Sequence, residues 1–113
     1  LATLLVHQRA RSNSVVGLDR EQRIVAFLER PSEAERSRLD SPWVNSGIAV
    51  CDPAILDEIP AGVACDLPRD IYTQLLGSRR LFAVPLGGYR CAVDSPERLA
   101  EVRAAIQRGV LEV

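Results

Sequence analysis

The chain has 113 residues, 47% apolar and 26% charged, the values of one ordinary globular domain with a modest core. Its formal net charge of -1 offers no bulk attraction to DNA, RNA or an anionic membrane, and no run of about 18 apolar residues is present to span a bilayer. The three cysteines, Cys51, Cys65 and Cys91, are odd in number and lack C-x-x-C spacing, which argues against a disulfide framework or a zinc site and for small packed side chains in a reducing cytoplasm.

The sequence contains no methionine and opens directly on an apolar run, Leu1 to Val6. A short strand can start a natural domain, but this opening reads better as a piece of a longer protein. Leu1 to Gln8 has the pattern of a buried strand, and Val15 to Leu18 that of a second. After a charged turn, Asp19 to Gln22, a third strand runs from Arg23 to Glu29. Ile24, Ala26 and Leu28 are expected on one face and Val25 and Phe27 on the other. Pro31 ends that strand. Ser32 to Leu39 predicts a short exposed helix. Trp43 to Cys51 predicts a strand in which Gly47 marks a bulge or a close backbone approach.

Three further helices share one opening device, an oxygen-bearing side chain that caps the free first-turn N–H groups followed by a proline. Asp52-Pro53 opens the first, with Ile55, Leu56 and Ile59 on its apolar side and Pro60 as its stop. Asp66 and Pro68 open the second, which carries Ile71, Leu75 and Leu76 and ends at Gly77. Ser95-Pro96 opens the third, which carries Leu99, Val102 and Ile106 and ends at Gly109. Between the last two, Leu81 to Leu86 and Tyr89 to Val93 read as strands joined in a tight hairpin by Gly87-Gly88. The order predicts an α/β domain over residues 1–113, a mixed sheet with flanking helices.

Catalytic signals are few. His7 is the single histidine, it ends an apolar strand, and no second His or Cys stands near it to share a metal. There is no nucleophile elbow and no Gly-rich phosphate loop. Two polar spots stand out. Glu29-Arg30-Pro31 puts an acid and a base at a strand end, where ligands of open α/β sheets bind, although a charged strand terminus explains it equally. Asn45, inside a strand where Asn is depleted, needs a local partner or a ligand, and its amide suits a sugar hydroxyl.

These spots carry a resemblance. Arg23-Ile24-Val25-Ala26-Phe27-Leu28-Glu29-Arg30-Pro31 resembles the segment of the sugar-1-phosphate nucleotidyltransferases (NDP-sugar pyrophosphorylases) that ends in Glu-Lys-Pro. Val44-Asn45-Ser46-Gly47-Ile48-Ala49-Val50 resembles their Asn-x-Gly strand. Asp66-Leu67-Pro68-Arg69-Asp70-Ile71-Tyr72 resembles the acidic start of the next helix, and Ser95-Pro96-Glu97-Arg98-Leu99 the Thr-Pro-Glu that opens the closing one. The four occur in family order across nearly the whole chain. Leu4-Leu5-Val6-His7 and the closing helix look most like guanylyltransferases acting on mannose or heptose 1-phosphate.

The resemblance implies the C-terminal, sugar-binding half of a Rossmann-like nucleotidyltransferase fold. Such enzymes join a sugar 1-phosphate to a nucleoside triphosphate with Mg²⁺ and release pyrophosphate. Carried over by position, Glu29 accepts hydrogen bonds from sugar hydroxyls, Arg30 stands where the family's Lys meets the sugar phosphate, and Asn45 and Gly47 line the sugar pocket. No catalytic residue is assigned. The family's Gly-rich nucleotide loop and one of its Mg²⁺ acids belong to an N-terminal half that these residues do not match. A sheet lacking that half is expected to show an apolar face and unpaired edges, with marginal stability or self-association into a homo-oligomer. A second departure is that the family's metal-binding Asp falls at Ala92. Asp94, two residues on, either replaces it on the same face if the strand continues or caps the closing helix. An enzyme part is therefore the first reading. A binding or regulatory homologue without metal chemistry is the second, and a structural domain alike in fold alone is the third.

Overall fold

In the computed structural model the residues described are 1–9, 12–78 and 80–111. The chain runs through β1 (Ala2–Gln8), β2 (Ser14–Leu18), β3 (Ile24–Glu29), α1 (Glu33–Leu39) and β4 (Trp43–Cys51). A 3₁₀ helix, Pro53–Glu58, follows. A wide π-type turn, Leu67–Tyr72, then continues into α2 (Thr73–Leu75) and a 3₁₀ turn, Leu76–Ser78. β5 (Leu81–Pro85) and α3 (Pro96–Gln107) complete it. The strands form one mixed sheet in the order β3-β2-β4-β1-β5, with β5 parallel to β1 and the other neighbours antiparallel. This is the expected α/β arrangement.

The three caps read in the sequence, Asp52, Asp66 and Ser95, all act, and Ser32 adds a fourth. Ser32 Oγ accepts from the Glu35 N–H and the Glu35 carboxylate accepts from the Ser32 N–H, a reciprocal box that starts α1, an exposed helix with no buried residue. Asp52, Asp66 and Ser95 each accept a first-turn N–H, from Ala54, Arg69 and Arg98. The third, α3, spans the expected residues, while the first two differ from the expected helices. The first is 3₁₀, with Ile55 buried and Ile59 packed against the core but Leu56 67% exposed, so Leu56 leaves the expected apolar side. The second is wide at its start, where Asp70 also reaches back to the Asp66 N–H at 2.8 Å.

Two register slips shape the sheet. Gly17 pairs with Ala26 but Leu18 pairs with Ile24, so Val25 is an extra residue in β3. The bulge breaks the strict alternation expected of β3. Ile24 and Phe27 are both buried, while Val25 is 57% exposed. In β4 the slip is larger. Leu4 faces Ala49 and Val6 faces Asn45, which leaves Ser46, Gly47 and Ile48 opposite Leu5 alone.

The expected hairpin is absent. β5 forms as read, but Tyr89 to Val93 is not a strand. The reason lies in the far end of the sheet. Arg23 bridges Phe82 antiparallel, and the Ala83 N–H donates to the Gln22 carbonyl at 2.9 Å. The open edge of β5 is therefore taken by the residues that lead into β3, and the sheet curls so that its two outer strands meet. The same contact removes part of the unpaired edge the sequence predicts.

The core lies between one sheet face and the helical turns. Leu4, Val6, Val16, Ile24 and Phe27 meet Ile55, Ile71, Tyr72 and Leu75. Phe27 and Tyr72 pack edge to face, ring centroids 5.9 Å apart. The other face keeps exposed apolar residues, Val50 at 76%, Phe82 and Val84, in register with Thr3 and Leu5 of β1. Cys51 is exposed, against the expectation that every cysteine packs inside, and all three thiols are free. Among the described residues no helix is long and apolar enough to cross a membrane.

Leu4→Ala is expected to destabilise the fold by about 2–5 kcal/mol, because its fully buried side chain leaves a cavity, while Val50→Ala should change it by about 0.5 kcal/mol or less. Urea unfolding followed by circular dichroism measures both, and equal effects at the two positions would contradict this core.

Candidate functional site

A polar row crosses three neighbouring strands where the core stops. Ser14 of β2 is the register partner of Glu29 of β3. Val16 pairs with Trp43, so two residues along the antiparallel ladder Ser14 stands level with Asn45 of β4. The Asn45 N–H donates to Ser14 Oγ at 2.9 Å, which fixes that side chain. Glu29, Ser14 and Asn45 line one cleft of about 450 Å³, together with Ser46, Gly47 and the proline of the π-type turn, Pro68.

The β4 bulge shapes the wall of this cleft. Asn45 Oδ1 accepts from the Gly47 N–H at 3.2 Å, and Ser46 Oγ accepts from the Ile48 N–H at 3.3 Å. The side chains thus replace ladder partners that the slip removes. Gly47 has φ +85°, a left-handed conformation in which any Cβ is strained. The Ser46 carbonyl, freed from the ladder, accepts from the Arg90 guanidinium, 44 residues on. That bond ties the irregular segment after β5 to the sheet.

The opposite wall is basic. Arg9, Arg90 and Arg98 line the cleft beside His7. His7 is 9% exposed and both its ring nitrogens lack a partner among the described residues. Burial first, then the charges of Arg90 and Arg9, hold its pKa below the ordinary 6.5, which favours the neutral imidazole. Across the cleft the Glu29 carboxyl is pushed above its ordinary 4.5 by burial and by Asp66, against the opposing charge of Arg30.

The residues singled out in the sequence divide in two. Glu29, Asn45 and Gly47, from separate strands, come together in the cleft, and Ala92 and Asp94 join them. Arg30 does not. It is exposed, has φ +49° in the left-handed region at the end of β3, and lies outside the cleft lining, although its charge still acts on Glu29. Asp94 is neither on a strand nor the cap of α3; Ser95 Oγ fills that place. Arg9, Arg90, Arg98 and His7 were missed. His7 and Arg98 lie in segments that carry the resemblance but were given no role there, Arg9 and Arg90 lie in none, and only the closing of the cleft brings the four together.

The donors do not make up a Mg²⁺ site. Ala92 has no ligand atom, Asp94 is the single carboxylate of its wall, and among the described residues no three of His, Cys, Asp or Glu stand together. No step is therefore routed through a metal held by this chain.

Comparison with known proteins gives distant relatives of one kind. The chain is 26% identical over 102 residues to the mannose-1-phosphate guanylyltransferase of Mycobacterium tuberculosis, covering 88% of this chain and 27% of that protein. It is 34% identical over 67 residues to the UTP–glucose-1-phosphate uridylyltransferase of a Synechocystis species, covering 59% of this chain and 16% of that protein. No family model matches. The chain thus spans about a quarter of the first relative and a sixth of the second. Both relatives are sugar-1-phosphate nucleotidyltransferases by name.

Because the Glu29 pKa is raised in the folded chain, the folded state holds that proton more tightly than the unfolded one. Stability is then lost as pH rises from 4.5 through the folded pKa. Glu29→Gln is expected to gain about 0.5 kcal/mol over the wild type near neutral pH, and nothing once both are uncharged in acid. Thermal melting at the two pH values tests this, and a variant less stable than wild type at neutral pH would contradict it.

Proposed function

We propose that this chain is the sugar-binding part of a sugar-1-phosphate nucleotidyltransferase, a protein that transfers a nucleotidyl group from a nucleoside triphosphate to a sugar 1-phosphate and releases pyrophosphate. The observation that carries the reading is the convergence of Glu29, Asn45 and Gly47 in one polar cleft. These residues match two separate motifs of one family, and the distant relatives found independently belong to the same kind of enzyme.

In this reading Glu29 and the Asn45 amide read sugar hydroxyls from the strand-end row. Glu29 does so as an acceptor from a partly dry position, where a hydrogen bond is worth more than at a wet surface. Gly47 keeps the wall low. Since its Cβ would lie 4.0 Å from the Arg90 guanidinium, the limit there is the backbone conformation rather than space. The exposed apolar row of Val50, Phe82 and Val84 would be the face that a nucleotide-binding half covers. Free thiols suit a reducing, cytoplasmic setting. Guanylyl transfer to a mannose-type sugar is the finer form of the proposal.

One observation favours a second reading. A cleft wall with Ala92 in place of a metal-binding acid fits a homologue that binds a sugar phosphate or nucleotide sugar without turning it over.

The test is pyrophosphate release by the open reading frame that contains this chain, given Mg²⁺, each nucleoside triphosphate and a panel of hexose and heptose 1-phosphates. Release with one pair is the expected result, with Glu29→Gln and Asn45→Ala each lowering kcat/KM about tenfold or more. Saturable binding without release, restored to turnover by Ala92→Asp, would establish the second reading instead. Neither binding nor release would leave only likeness of fold.

A further inference from the structure

The cleft contains more positive charge than the sugar reading needs. Three arginines line it against two carboxylates, Glu29 and Asp94. Among the described residues the ion pairs are those of Arg23, Arg69 and Arg80, so none of Arg9, Arg90 and Arg98 is neutralised by a carboxylate contact. Arginine stays protonated at any physiological pH, so this charge cannot be relieved by losing a proton.

Two other features point the same way. α3, a helix of 12 residues, begins at the cleft, with Arg98 in its first turn, so the positive end of its dipole adds to the arginine charge. His7 is nine-tenths buried, lines the same cleft and has no partner for either nitrogen. A buried imidazole without a hydrogen bond is costly, and an acceptor oxygen within the cleft would relieve that cost. The backbone arrangement meanwhile excludes Arg30 from the cleft.

We propose that Arg9, Arg90 and Arg98, with His7 beside them, form a phosphate monoester subsite that holds the phosphate of the sugar 1-phosphate in place of Arg30. This deepens the sugar-phosphate reading and rests on it for the sugar, though not for the phosphate. Arg90 is already oriented by its bond to the Ser46 carbonyl, so a further N–H of its planar fork is presented without much loss of side-chain freedom. Arg98 is steadied by the Cys91 thiol at 3.7 Å. Guanidinium–phosphate contacts of this kind are paired and directional, and they place the sugar end toward Asn45 and Glu29.

The experiment is a calorimetric titration of the product of the open reading frame that contains this chain with mannose 1-phosphate, inorganic phosphate and free mannose at fixed ionic strength. The expected result is that mannose 1-phosphate binds, inorganic phosphate competes with it, and Arg98→Gln or Arg90→Gln weakens both ligands about tenfold or more, while Arg30→Gln changes them by less than about twofold. Arg90 also holds the β4 bulge, so circular dichroism checks its fold. Arg98→Gln, which breaks no backbone contact of its guanidinium, carries the test if Arg90→Gln unfolds. Inorganic phosphate binding that depends on Arg98 but gains nothing from the sugar would keep the subsite and sink the sugar reading. Phosphate binding lost in Arg30→Gln and kept in Arg98→Gln would overturn the subsite and leave the sugar reading intact. No phosphate binding by the wild type would overturn the subsite outright.

Discussion

The bond from the Arg90 guanidinium to the Ser46 carbonyl is the contact on which the cleft depends. A strand that places three residues opposite one must leave backbone groups without ladder partners. Ser46 is buried, and an unpaired carbonyl there costs about 1–3 kcal/mol. Asn45 and Ser46 side chains supply acceptors for the N–H groups of Gly47 and Ile48, but a carbonyl needs a donor. Arg90 brings that donor from the far side of β5. In doing so it draws the segment between β5 and α3 over the sheet and sets where α3 begins. The bulge thus creates the opening, and the arginine that repairs it becomes a wall.

Charge within the cleft is separated along its length. At the β3 end burial and then the charge of Asp66 raise the Glu29 pKa, while at the β1 end burial and then the charges of Arg90 and Arg9 lower that of His7. A ligand with hydroxyls at one end and an anionic group at the other matches that gradient better than a uniformly charged one. Selectivity in such a site comes from buried polar groups that go unpaired when the wrong ligand binds. Asn45, held by Ser14, and His7, with two open nitrogens, are the groups placed to impose that penalty.

Sequence reading reached what is set locally and missed what is set by closure. Helix starts were legible because a cap and its proline lie within three residues, as at Asp52, Asp66 and Ser95. The β4 bulge was legible because glycine inside a strand has few other uses. Glu29, Asn45 and Gly47 were found through resemblance to a family, and the register places the first two on one row for a reason no local pattern contains. The hairpin at Gly87-Gly88 failed because Gln22 and Arg23 already hold the edge of β5, a contact across some 60 residues. That Arg30 lies outside the cleft lining had no warning in sequence, where a non-glycine residue at positive φ leaves no mark. Arg90 and Arg98 were assigned no role in sequence, and the bond to Ser46, 44 residues away, gives the first of them a place.

A cation wall and a carboxylate wall do different things to a phosphate. A divalent ion held by acids and a pair of guanidinium groups both neutralise negative charge, but in different ways. A metal bridges reacting oxygens and follows charge as it moves, whereas an arginine fork fixed by its own packing binds best the charge already present. Interactions equal in the bound and transition states lower the substrate's free energy without raising turnover. On the reading proposed above, a cleft with Ala92, a lone Asp94 and three arginines binds a sugar phosphate and positions it, and acceleration of the transfer falls to groups outside this chain.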